Sequence, residues 1–136
     1  MTELALLNAN ILDVEAGTII GERTVHISDG CIEEVLVENP GNAKRSVDLK
    51  GLTLMPGLCD GHVHVTAATA DFSLLTAWSP AYVAAREGEF GVIKAGARAD
   101  LIAVAGNPLD DLQVLQSPDE NLKMVMKRGA LYKQDL

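Results

Sequence analysis

The sequence is poor in aromatic side chains, in basic residues and in cysteine, and it contains no long apolar run. Phe, Trp and Tyr make up 4% of its 136 residues, so any core must be assembled from Leu, Val, Ile and Ala. Lys and Arg number 11 against 19 Asp and Glu, a formal charge of −8. The basic residues are scattered, densest at Lys44-Arg45 and Lys127-Arg128. Nucleic-acid binding rests on clustered Lys and Arg, so no nucleic-acid partner is expected. No apolar stretch approaches the roughly 20 residues needed to cross a bilayer, which argues against a membrane partner. The opening MTELALLNANILDVEAG has no basic n-region and meets Glu3 at once, unlike a secretory leader. Without an export signal, Cys31 and Cys59 are expected as reduced thiols in a cytoplasmic protein.

What is present is a globular composition, 48% hydrophobic and 22% charged, in a chain the size of one ordinary domain. The first third is β-rich. LALLNANILDV fits one bent strand or two short ones, and TVHIS and CIEEVLVE flank Asp29-Gly30, a strong hairpin signal. Val25 and Ile27 share a face there, which places His26 on the opposite face as a solvent-side histidine. SVDLKG and LTLMPG read as two further short strands. From 66 onward the texture changes: VTAATADFSLLTAWSP has neither strand nor helix period. A helix starting at Ser79-Pro80 barely begins before the glycine-punctuated EGEFGVIKAGARAD. The last third returns to β. ADLIAVA reads as a buried strand, GNPLDDLQVL as a helix capped by Asn107 with Pro108 at its first position, and LKMVMKRGALYK as two strands around Arg128-Gly129.

The stretch GLCDGHVHV holds two of the three histidines, His62 and His64. On a strand that spacing points both imidazoles the same way, which is how a protein offers two nitrogens to one metal. A catalytic zinc usually has three protein ligands and an open position for water. Asp60 shares the same strand face, but three groups in a row do not surround an ion. Cys59 has no base near it in sequence, and Phe72 and Trp78 read as cover for apolar surface.

Three ordered pieces resemble the amidohydrolase superfamily of metal-dependent hydrolases, with imidazolonepropionase-like and prolidase-like members foremost. LTLMPGLCDGHVHV is similar to that family's Pro-Gly-x-x-Asp-x-His-x-His entry into its barrel. GVIKAGARADLIAVAGNPLDDL is similar to its closing segment, with Ala95 where the family usually has proline, and VMKRGALYK to its ending. The resemblance implies a mainly β fold: a small β-sandwich or pseudo-barrel made jointly from the N- and C-terminal segments. The halves would be residues 1–57 and 88–136, with 58–87 as a short remnant of a (β/α)8 barrel. Such a barrel typically takes about 250 residues, and this stretch accommodates one βα unit.

By the same resemblance, His62 and His64 are the first two ligands of a divalent metal, zinc foremost. The other ligands, and the aspartate that activates the metal-bound water, come from barrel strands with no counterpart here. Asp100 then reads as a structural turn carboxylate capping N–H groups at the start of LIAVA. The parent enzymes hydrolyse C–N bonds of small amide, cyclic amide or dipeptide substrates. This chain is expected to be a truncated or fragmentary relative, inactive alone. The alternative is a non-catalytic β-sandwich module for binding or oligomerisation. A homo-oligomer, with His62 and His64 of two chains sharing one metal, completes the set of readings.

Overall fold

A computed structural model describes residues 2–38, 41–58 and 88–136. The described residues form eight strands: β1 (Leu4–Asp13), β2 (Thr18–Ser28), β3 (Cys31–Leu36), β4 (Arg45–Asp48), β5 (Thr53–Pro56), β6 (Leu101–Val104), β7 (Leu122–Lys127) and β8 (Ala130–Gln134). They make one sheet in the order β3-β2-β1-β5-β6-β7-β8, with β4 also paired to β1. This is the mainly β architecture expected from the sequence.

Local chemistry explains most of the strand ends. Asp29 and Gly30 have φ of 51° and 74°, and Arg128 and Gly129 have 48° and 76°. Two consecutive positive-φ residues form the two-residue turn whose twist matches a hairpin, which is why Asp-Gly and Arg-Gly stand there. LALLNANILD is a single strand, irregular in register between Leu6 and Ala9 and between Ala9 and Ile11 against β2. Its first half runs parallel to β4 and its second half parallel to β5. The kink between those partners is at Lys50-Gly51, both at positive φ.

The two ends of the sequence meet inside this sheet. β5, from the N-terminal half, pairs antiparallel with β6, from the C-terminal half, through Thr53↔Val104 to Pro56↔Leu101. The sheet also curls, because Ile32 N–H donates to Ala97 O at 2.7 Å and Gly96 N–H donates to Ile32 O at 2.9 Å. Segment 96–99 thereby borders β3. Leu6, Val25, Ile32, Val47, Leu54, Leu101 and Met124 share one buried cluster, so both halves fill a common interior. A smaller cluster of Leu12, Met55 and Val104 forms separately, with Ile19, Ile102, Leu115 and Leu122 packed against it.

Two expectations need correction. His26 does not face solvent; it is fully buried. Val25, His26 and Ile27 are buried in succession, because this part of β2 is covered on both faces and alternation no longer separates inside from outside. His26 stands opposite the small Ala5 on β1 and opposite Glu34 on β3, and Thr2 closes over it. The segment after Asn107 is a turn rather than a helix start. Asn107 Oδ1 accepts from Leu109 N–H at 3.1 Å and its Nδ2 donates to Asp110 Oδ2 at 2.8 Å, so the side chain stabilises a local turn. Asp111 then adopts an extended conformation and caps a 3-10 turn over Leu112–Leu115, accepting from Gln113 N–H. A short helical turn at Pro118–Asn121 follows; only its proline announces it in the sequence.

Candidate functional site

His62 and His64, with Asp60, Cys59 and the helix start at Ser79-Pro80, lie outside the described residues. β5 ends at Pro56, immediately before the segment that carries them. Among the described residues, no three His, Cys, Asp or Glu side chains are grouped to hold a metal ion.

His26 is the one described histidine, and its surroundings resemble a relay at first sight. Its Nδ1 lies 3.1 Å from Glu34 Oε1 and 3.4 Å from Thr2 Oγ1. The Thr2 hydroxyl donates to Glu33 Oε2 at 2.9 Å, so its oxygen is left to accept. A carboxylate can only accept as well, which assigns the ring proton to Nδ1. Nε2 is buried and has no hydrogen-bond partner among the described residues. A nucleophile–base–carboxylate relay needs one nitrogen for the nucleophile and the other for the carboxylate. Here hydroxyl and carboxylate converge on the same nitrogen. The arrangement holds β2, β3 and the N-terminus together and performs no proton transfer of that kind.

The closing segment GARAD does its work in a junction. Ala97 and Ala99 are fully buried. Ala99 N–H donates to Gly30 O at 2.9 Å, and Gly129 N–H donates to Ala99 O at 3.0 Å. This one residue therefore ties the tips of the β2–β3 and β7–β8 hairpins together. Asp100 Oδ1 accepts from Arg128 N–H at 2.7 Å. Its role is structural, as expected, but the N–H it holds belongs to the other hairpin rather than to the start of β6. The tips touch closely: a Cβ on Gly30 would sit 3.0 Å from Arg128 O, and one on Gly129 would sit 3.1 Å from Ile27 Cγ2. Beside this junction is an open cleft of about 560 Å³ lined by Asp29, Cys31, Glu89, Arg98 and Arg128. Arg98 lies over the Phe90 ring, 5.8 Å from its centroid, and 3.7 Å from Glu89. Its charge is thus partly satisfied within the cleft, and Cys31 is a free thiol there.

No family model matches the chain. Curated relatives do. The chain is 36% identical to an allantoinase of Desulfitobacterium hafniense over 62 residues, 46% of this chain and 13% of that protein. It is 38% identical to an adenine deaminase of Dehalococcoides mccartyi over 71 residues, 52% of this chain and 12% of that protein. The chain is similar to a part of enzymes of the amidohydrolase superfamily. Its matches to these amidohydrolase relatives cover 13% and 12% of their lengths, a fragment of each. A crystal structure of an uncharacterized protein superimposes with a TM-score of 0.76 at 12% identity, over 98% of this chain and 100% of that one. That likeness shows the fold. The described parts of the three pieces that carry the amidohydrolase resemblance supply β5, β6 and most of the β7–β8 hairpin to this sheet. No helix among the described residues is long and apolar enough to cross a membrane.

Proposed function

We propose that this chain is the composite β domain of an amidohydrolase, with residues 1–57 and 88–136 as its two halves and 58–87 as a remnant of the catalytic barrel. On this reading the chain does not turn over substrate alone. The observation that carries it is the joining of the N- and C-terminal segments in one sheet through β5 and β6. A domain of this kind supports a catalytic partner; it does not contain the reaction.

His62 and His64 are the proposed metal ligands, and zinc is the foremost metal. In the parent enzymes the metal would activate water for attack at a C–N bond of a small amide, cyclic amide or dipeptide. The relatives are named as an allantoinase and an adenine deaminase, and a substrate of this general size is proposed for the parent. The chemistry of the donor set limits what this chain can do. Two imidazoles leave a zinc ion short of the usual three protein ligands, and His26 is fully buried in the sheet. A site completed by a second chain, with two histidines from each, is the arrangement that satisfies zinc here.

Zinc titration followed by sedimentation tests this. The expected result is one zinc per two chains, coupled to dimer formation and lost in His62→Ala. Tight binding of one zinc per monomer contradicts it. The intact mass of the natural gene product tests the fragment reading: a product several times this length would carry the missing barrel.

A further inference from the structure

β8 stands at one end of the sheet and, among the described residues, pairs with β7 alone. Asp135 N–H donates to Lys123 O at 2.7 Å, so by the alternation of an antiparallel ladder the N–H of Gln134 points away from β7. The start of β4 lies beside this free edge, where Arg45 Nη2 donates to Gln134 Oε1 at 3.1 Å. Cations border this edge. Lys44 and Arg45 stand on one side, and the pairing of Val125 with Lys133 puts Lys123, Lys127 and Lys133 on one face of β7 and β8; these are 5 of the chain's 11 Lys and Arg. Only Lys133 among them has a carboxylate partner within the described residues, Asp135 at 3.4 Å. Among the described residues, a chain with 19 Asp and Glu thus keeps most of the rim beside this edge basic, with one ion pair.

We propose that the β8 edge is a docking strand for an acidic, extended peptide segment of a partner protein. The segment adds to the sheet as a further strand. Its backbone bonds to the outward N–H and C=O groups of β8, and its carboxylates face the rim of Lys and Arg. Tyr132 is 74% exposed and stands at the register irregularity between β7 and β8, where its ring offers an apolar contact to the added strand. The occupant is not β8 of a second copy. That pairing would set two basic rims face to face, and lysines on an edge strand ordinarily keep copies apart for this reason. The same charge that repels a second basic edge attracts an acidic strand and speeds its encounter.

The test uses the full chain and a synthetic peptide of alternating Glu and Val, with a Lys-Val peptide as control, followed by backbone amide NMR. The expected result is saturable binding of the acidic peptide alone, with shifts centred on Tyr132, Gln134 and Arg45. Charge reversal in K127E/K133E should weaken it about tenfold or more, as should raising the salt. Gln134→Pro removes one outward N–H and leaves the rim charges unchanged, and it should also weaken binding about tenfold. Should that variant fold poorly, an acidic peptide N-methylated along its pairing edge asks the same question of the unaltered protein. Equal binding of the Lys-Val peptide, undiminished binding of the N-methylated one, or no saturable binding overturns the proposal. So does tighter binding to anionic vesicles or to duplex DNA than to the acidic peptide.

Discussion

His26 is buried with no partner for Nε2 among the described residues, and a buried polar atom without a partner costs about 1–3 kcal/mol. Its Nδ1–H is satisfied by Glu34 and Thr2, so the two ends of one ring pull in opposite directions on stability. Replacing the ring by an apolar side chain of similar size removes both the orphan and the donor. His26→Leu should therefore be neutral or stabilising. Glu34→Ala removes the acceptor and leaves the donor with the longer Thr2 contact alone, and should cost about 1–2 kcal/mol. Urea midpoints for the two variants check the contrast. An equal loss in both would mean that the histidine contributes through packing. Asp48 offers a pH test at the same scale. The Asn8 side-chain amide, first, and the Lys50 N–H hold its carboxylate below the usual aspartate range. A folded-state value below the unfolded one contributes stability at pH above about 3.9, lost as pH falls through the lowered folded value. The difference in stability between the protein and Asp48→Ala should be small at neutral pH and should close in acid. A difference that widens in acid would contradict the assignment.

Among the elements, the two hairpins and the strap between them bear most of the structural demand. Gly30 has φ +74° and its missing Cβ would meet the Arg128 backbone at 3.0 Å; Gly17 has φ +64° and nothing within 4 Å. Gly17→Ala should cost about 1 kcal/mol, the penalty of a left-handed conformation alone. Gly30→Ala pays that and a backbone clash, and should cost roughly 2 kcal/mol or more. Chemical denaturation distinguishes them; equal costs would mean that the tips can separate freely. The hairpins were legible in the sequence because Asp-Gly and Arg-Gly are required by φ at two consecutive residues. What joins them was not. The bonds from Ala99 to Gly30 and Gly129 link residues 69 and 30 positions apart, and no local pattern encodes them. His26 was misread for a related reason: period-two alternation marks a strand with one dry face, and β2 at this point has two. The turn at Asn107 shows a competition the sequence leaves open, since Asn-Pro suits a helix start and a side-chain-stabilised turn equally. The proposed metal-ligand pair, His62 and His64, rests on a motif alone, and a third ligand depends on tertiary placement that the motif does not contain.

At the scale of the whole molecule, the fold depends on segments from both ends of the chain. β5 has only Asn10 and Ile11 paired to it from β1, and β6 supplies its other border through four residue pairs. The common core draws on β1 to β7, with Leu131 of β8 packed against it. Unfolding should accordingly be a single transition, with β2 and β7 amides exchanging through the same opening. Separate protection for the N- and C-terminal halves would divide the molecule differently. On the proposed reading the chemistry lies elsewhere. The resemblance carried by LTLMPGLCDGHVHV and GVIKAGARADLIAVAGNPL was legible in sequence, and in the structure the described parts of both segments build the sheet. The most direct measurement is hydrolysis of small cyclic amides, N-acyl amino acids and dipeptides by the highly purified 136-residue chain with zinc, manganese or iron supplied. The account predicts no turnover with any of them. Turnover that persists through purification and disappears in the His62→Ala, His64→Ala double variant would contradict it, and would mean that a working metal centre forms here without the barrel.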